Sequence, residues 1–400
     1  MDDNAMDDKA NATKVEDKAD ATTVEDNTLN TSSTSGSNPP VETQAQVHTQ
    51  TNKSSGFLNS INHFRGIAII FIVMAHCYRP AGWQIETFAD KAWFNLMMNG
   101  TVFFVFISGF LFHHVFYHRW DYKKYMKSKT KFVFLPYLLL SLPWIVWHIT
   151  VGTDPMMHKE LADITAPAQA ASWYVITGRT LTAYWYIPMG MMLFALSPWV
   201  MYLIKKQQVL YYAIPLLLIA IMVHRPISNL NAIQSLVYFL PVYLLGVWGS
   251  AHRDKLFPFI DRYWLPMLLG GIALALIQAE YFGAGVLNKA PFEMTVPDLM
   301  LPQKILLTLV ILAILNKFEH ISIKPLQKLA EVSFAIYFIH PWITTPWWMI
   351  YDSPDLFGLA GQGNIFTTLI VTLVVVTISY MIAIVIKKLL SKRSRYLIGW

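Results

Sequence analysis

Residues His63–Pro80 read HFRGIAIIFIVMAHCYRP. A cation, Arg65, stands near the start of the stretch, a histidine, His76, near its end, and every residue between them is apolar or glycine. The apolar run covers residues 66–82, with Arg79 close to its far end, and is about the length a helix needs to cross the hydrocarbon core of a bilayer. Inside lipid each backbone N–H and C=O needs an internal partner, so an isolated apolar run of this kind is read as a helix.

Working outward, the same pattern recurs. Apolar runs are expected near 66–82, 97–117, 132–151, 184–204, 209–224, 234–249, 263–283, 299–315, 332–351 and 365–387. The expected fold class is all-α: a polytopic membrane bundle of about ten transmembrane helices. Composition agrees. The chain is 54% hydrophobic and only 14% charged, too little charge for a soluble domain of this length. Its 14 Trp and 19 Tyr suit a protein with two membrane interfaces, where amphipathic rings settle.

Residues 1–55 are the exception. They contain ten acids and four bases and no apolar periodicity, with an imperfect repeat, ATKVEDKAD from Ala12 and ATTVEDNTL from Ala21. A segment so poor in apolar surface cannot offset the entropy of ordering. It also lacks the basic start and apolar run of a cleavable signal peptide. The expected organisation is a disordered acidic cytoplasmic tail over 1–55 and a transmembrane domain over 56–400. The tail's charge shifts the balance elsewhere: residues 56–400 hold 27 bases against 15 acids. That excess reports topology and is compatible with an anionic ligand; nucleic acid is not an expected partner. The single cysteine, Cys77, excludes an internal disulfide and a cysteine-based metal cluster, and no metal is expected.

Lys and Arg counts in the loops set orientation. Arg119, Lys123, Lys124, Lys127, Lys129 and Lys131 follow the second run. Lys205 and Lys206, then Arg253, Lys255 and Arg262, then Lys317, Lys324 and Lys328 mark later loops of the same side, and Lys387, Lys388, Lys392, Arg393 and Arg395 close the chain. The intervening loops are poor in bases, and 352–364 has none. Both termini are therefore expected in the cytoplasm.

Ionisable residues inside apolar runs are functional candidates, because lipid penalises them. Arg65 and His76 are eleven residues apart, which on one helix is about 20° of residual azimuth and about 16 Å of rise. His76 is thus expected near mid-membrane, in line with Arg65 at the boundary. A histidine there can act as a general base; equally, it can hydrogen-bond a neighbouring carbonyl while Arg65 snorkels. Ser108 and Gly109, in FFVFISGFLFHH, are expected at similar depth, where small residues commonly serve helix packing. His113 and His114 fall nearer the interface. Lys127, Lys129 and Lys131, in YKKYMKSKTKFVFLPY, anchor the chain at the basic face and also form a candidate phosphate site beneath Arg65. His340, in SFAIYFIHPW, points to the membrane interior, and Trp185 and Tyr186, in AYWYIP, sit at the outer end of the fourth run.

Together these motifs resemble the membrane acyltransferase-3 family, whose bacterial members O-acylate surface polysaccharides. The resemblance covers roughly 57–390. Its elements occur in order: Arg65, Gly66 and His76; FFVFISGFL with Ser108 and Gly109; the basic segment ending in Pro136 and Tyr137; Trp185 and Tyr186; PVYLLGVWGS with Tyr243 and Gly246; and VSFAIYFIHPW with Ser333, Tyr337 and His340. Many relatives carry an arginine pair where this chain has lysines at 127, 129 and 131, and in that it resembles the exopolysaccharide branch. The acidic tail is no part of the pattern, and no extracytoplasmic hydrolase-like domain is expected after the last helix.

The resemblance implies an O-acyltransferase of the bacterial cytoplasmic (inner) membrane. It implies acetyl-CoA or another acyl-CoA as donor, bound near Arg65, Lys127, Lys129 and Lys131. The acceptor would be a hydroxyl of a cell-surface polysaccharide or its lipid-linked precursor. His76, with Arg65, would be catalytic, as base or transient acyl carrier. Ser108, Gly109, Trp185, Tyr186, Tyr337 and His340 would line the chamber. The lipid bilayer is the surrounding partner, and a homodimer is compatible with the sequence. The alternative is an exporter of a glycan or lipid-linked intermediate, which intramembrane His and Arg would also serve. No repeat of the span pattern favours it.

Overall fold

The computed structural model describes residues 58–151, 166–285, 287–293, 296–351 and 361–400. The tail expected over 1–55 lies outside the described residues. What is described is helical almost throughout, and each of the ten expected apolar runs overlaps a helix.

The first helix, α1 (Asn59–Met74), has no side-chain cap of its own. The carboxylate of Glu319 caps it from a distant loop, accepting from the amides of Asn59 and Ser60 at 2.7 Å each. The helix stops before the end of its apolar run. His76 N–H bonds back to Val73 and Cys77 N–H to Met74, a tightening of the last turn, and Pro80 and Gly82 (φ +71°) lie just beyond. His76 therefore sits in a turn after α1. The expectation of one continuous helix over 66–82, with His76 on the face of Arg65, is corrected accordingly.

The second run is also broken. A capping box of Thr87 and Asp90 starts α2 (Phe88–Met97). Asn99, at φ +61°, interrupts the chain before α3 (Thr101–Phe116). The basic segment forms α4 (Tyr122–Lys129) and passes through a π-helical turn at Thr130–Phe134 into α5 (Leu135–Val151). Such single turns are rare and recur at functional sites.

Then come α6 (Pro167–Thr177), α7 (Tyr186–Ala195), α8 (Ser197–Lys205) and α9 (Val209–Val223). The pair α7 and α8 is one apolar stretch bent by 48°. The remaining elements are α10 (Ala232–Ala251), α11 (Arg253–Tyr281), α12 (Met300–Lys317), α13 (Lys324–Tyr351), α14 (Ile365–Leu390) and a short α15 (Ser394–Ile398). Six helical segments among the described residues are long and apolar enough to cross a membrane, or seven with the bent pair counted as one, and α1 and α9 are shorter apolar helices. Strand structure among the described residues is one two-residue parallel ladder, Arg225–Pro226 against Asn288–Lys289.

The centre of the bundle is the packing of α3 on α10 and of α1 on α13. Glycines set both distances. A β-carbon at Gly109 would overlap the carbonyl oxygen of Tyr243, and one at Gly246 the carbonyl oxygen of Phe106. At Gly66 it would lie 2.6 Å from the carbonyl oxygen of Leu326. Large apolar side chains meanwhile face outward on the peripheral helices, among them Leu142 and Val146 on α5, Leu218 on α9, Leu269 on α11, and Leu373 and Met381 on α14. Lipid is the solvent that such a surface fits.

Candidate active site

The turn after α1 brings His76 against α13. Its ring centroid lies 5.5 Å from that of His340. His340 is fully buried, and its Nδ1 lies 2.9 Å from the carbonyl oxygen of Ile336. A carbonyl only accepts, so Nδ1 carries the proton and Nε2 of the neutral ring keeps its lone pair. That Nε2 is buried with no hydrogen-bond partner among the described residues. Two imidazoles in contact, one with an unpartnered ring nitrogen, make this pair the candidate for proton transfer.

His76 lines two cavities at once. The first, of about 360 Å³, is walled by His76, Asn99, Thr101, Trp185, Arg225 and Tyr337, among others. The second, of about 350 Å³, shares His76 with it and adds Arg79, His148, Arg179 and Thr345. Tyr337 and Tyr184 fix the wall between α6 and α7. The Tyr337 hydroxyl donates to the carbonyl of Ala183 at 2.6 Å, and that of Tyr184 to the carbonyl of Phe338 at 2.8 Å. These two bonds tie the AYWY segment to α13, so Trp185 and Tyr186 are placed by the helix that carries His340. Anchoring at a membrane interface is not their main role here, since both are buried.

Arg225, which the sequence places on the outer side without a specific spacing, joins this wall, and Asn99, which the sequence does not single out, stands with it. Nη1 of Arg225 donates to Oδ1 of Asn99 at 3.3 Å and Nη2 to Oδ1 of Asn229 at 2.6 Å. The guanidinium carbon lies 4.6 Å from the Trp185 ring centroid. Asn99 in turn donates to the Tyr238 hydroxyl at 3.1 Å, which donates to Asp298 at 2.6 Å. These residues are far apart in the chain, and no spacing rule joins them. An arginine beside an expected span was the available signal.

A third cavity, of about 290 Å³, lies toward the lysine-rich end of the bundle. Arg65, Ser108, Tyr125, Lys129, Tyr186 and Phe334 are among its lining residues. Arg65 donates from Nη2 to the carbonyl of Ala330 at 2.9 Å and to Ser333 Oγ at 3.4 Å, both on α13. The Lys129 ammonium stands over the rings of Phe194 (4.6 Å), Tyr125 (5.1 Å) and Phe116 (5.7 Å), an aromatic cage for a cation.

The other two lysines are elsewhere. Lys127 is exposed, and Lys131, also exposed, stands 4.8 Å from the Tyr396 ring. Gly109 lies at the α3–α10 contact, where its packing against Tyr243 accounts for it. Cys77 is buried in the main apolar cluster.

The cavities stand in series. Phe104 and Tyr186 border both the lysine-end cavity and the first histidine cavity. Ala75, His76, Tyr78, Thr182, Asn229 and Asn288 border both histidine cavities. Phe104 and Tyr186 thus stand between the lysine-end cavity and the first histidine cavity, and the two histidine cavities adjoin at His76.

A helical membrane bundle with a histidine pair where two cavities adjoin is a scaffold for transfer chemistry in a membrane. The sequence places the protein more narrowly: residues 58–384 match the acyltransferase domain family, and the chain belongs to that family. It is a membrane acyltransferase, as the resemblance had implied. Among curated proteins it is similar to two described as probable poly-beta-1,6-N-acetyl-D-glucosamine export proteins, from Staphylococcus aureus strains Mu50 and MW2. Each is 21% identical over 257 residues, covering 62% of this chain and 69% of the relative. No solved structure matches it.

Proposed function

We propose that the protein is an O-acyltransferase that moves an acyl group, acetyl in the simplest case, from cytoplasmic acyl-CoA to a hydroxyl of a cell-surface polysaccharide or its lipid-linked precursor. The observation that carries this reading is the series of cavities running from Arg65 and Lys129 to His76. The donor's phosphates would meet Arg65 and Lys129 at the lysine-rich end, read as cytoplasmic by the positive-inside rule. Its pantetheine arm would pass Ser108 and Tyr186 and bring the thioester to His76. The acceptor would enter past Arg79 and Arg179 from the other side. His76 would take the acceptor's proton as general base, with His340 Nε2 behind it to accept a hydrogen bond, or His76 would carry the acyl group itself.

The description of the two relatives as probable export proteins favours a second reading, export of a glycan. Labelled acetyl-CoA offered to the purified, reconstituted full-length chain separates the two. The enzyme binds and consumes it in the presence of a β-linked aminosugar oligosaccharide. An exporter moves labelled glycan across the vesicle and leaves the thioester untouched, an outcome that would overturn the proposal.

A further inference from the structure

Arg225 is held in a way that leaves its charge unspent. It is 9% exposed, stacked on Trp185, and its two described hydrogen bonds go to the neutral amide oxygens of Asn99 and Asn229. Among the described residues no carboxylate lies within ion-pairing distance of it. The nearest acid in its network, Asp298, is two hydrogen bonds further on, beyond Asn99 and Tyr238. Nε of Arg225 is buried with no partner at all. A buried cation without a counter-anion is costly, and it is retained where an anion will be met.

A second positive element meets the same cavity. Asn99, Gly100 and Thr101, at the start of the 16-residue helix α3, line it with Arg225 and His76. No side chain caps that helix. The first backbone bonds of the turn are made by the amides of Val102 and Phe103, and those of Gly100 and Thr101 make none within the described protein. Open amides at a helix N-terminus attract negative charge. Gly100 allows this close placement: a β-carbon there would lie 2.7 Å from that of Phe71 on α1, five residues before His76.

We infer that Arg225 and the open N-terminus of α3 form an anion-binding site facing His76, which holds the acyl carbonyl oxygen while it bears negative charge during transfer. The inference rests on the acyl-transfer reading for its chemistry, though the anion site stands on the geometry alone. In the step, the acceptor hydroxyl oxygen bonds to the thioester carbonyl carbon and gives its proton to His76. The C=O π pair moves onto the carbonyl oxygen, which becomes the oxyanion beside Arg225 and the α3 amides. When the C=O re-forms, the C–S bond breaks. The leaving thiolate takes the proton back from His76, so ester and thiol are the products and the ring is neutral again. Donors already in place where charge develops need no reorganisation, and removing one typically lowers turnover about 100- to 1,000-fold.

The test uses the full-length protein in nanodiscs, with acyl transfer and thermal unfolding measured together. Arg225→Gln should lower kcat by about 100-fold or more while leaving the donor KM within a few-fold, because the donor's phosphates bind at the other end of the path. Methylphosphonate, a small tetrahedral anion, should raise the melting temperature of the wild type at constant ionic strength and leave that of Arg225→Gln unchanged. Should the glutamine form not fold, Arg225→Lys keeps the charge: it should retain the methylphosphonate shift and lose about 10-fold in kcat for want of the forked donors. Equal methylphosphonate shifts in wild type and Arg225→Gln, or wild-type turnover in either variant, would overturn the site. If the wild type consumes no thioester at all, the acyl-transfer reading fails separately, and the methylphosphonate comparison still decides whether the anion site exists.

Discussion

His76 and His340 meet although 264 positions separate them in the chain. The proposed mechanism gives them unequal work. His76 borders both cavities and can touch a substrate, whereas His340 is fully enclosed and can only act through its neighbour. His76→Ala should therefore lower acyl transfer by about 100- to 10,000-fold with normal expression and unchanged donor binding. Tyr337→Phe should behave differently. It removes the 2.6 Å bond to the Ala183 carbonyl and should cost about 1 kcal/mol of stability, read by thermal unfolding, with a smaller loss of turnover.

At this scale the sequence was informative where chemistry contradicts its surroundings: Arg65, His76 and His340 stand out because ionisable groups are rare in apolar runs. Lys129 was distinguishable as part of a basic cluster, but not from Lys127 and Lys131, because the aromatic cage that separates it is assembled from three helices. Asn99 falls inside the expected second run and Arg225 just past the fifth, and the two are joined only by folding.

Between residue and bundle, the elements that position the site are broken ones. The helix α2 ends beside the cavity, and Lys304 on α12, fully buried, caps it by donating from Nζ to the carbonyls of Asn95 (2.7 Å) and Leu96 (2.8 Å). A cation at a helix C-terminus is favourably placed. Lys304→Met leaves both buried carbonyls without that donor and should destabilise the protein by about 1–3 kcal/mol, measured by thermal unfolding in detergent. The close helix contacts make a contrasting pair. Gly109→Val would drive a side chain into the backbone of Tyr243 and should abolish accumulation of folded protein, since no side chain there can yield. Gly190→Ala on α7, whose new β-carbon would lie 3.6 Å from the Tyr186 ring, should fold and express normally. The apolar runs were legible as helices from length and hydropathy. Their breaks were not, because the end of α1 after Met74 and the interruption at Asn99 depend on partners, Gly100 against Phe71 among them, that hydropathy does not encode.

For the molecule as a whole, the bundle is apolar outside and hollowed inside. Its outer surface is apolar on α5, α9, α11 and α14, and adjoining cavities line up beside Lys129, Tyr186 and His76. The family match over 58–384 establishes the class of reaction; the direction proposed for it, from the lysine-rich side to the other, is open to test. The most direct measurement of that direction uses sealed vesicles in which the protein has one known orientation. Labelled acetyl-CoA is added on the lysine-rich side and the glycan acceptor is enclosed on the other. The account predicts labelled ester on the enclosed acceptor with wild-type protein and none with His76→Ala. Label transferred equally well by His76→Ala, or only to an acceptor placed on the donor's own side, would contradict it.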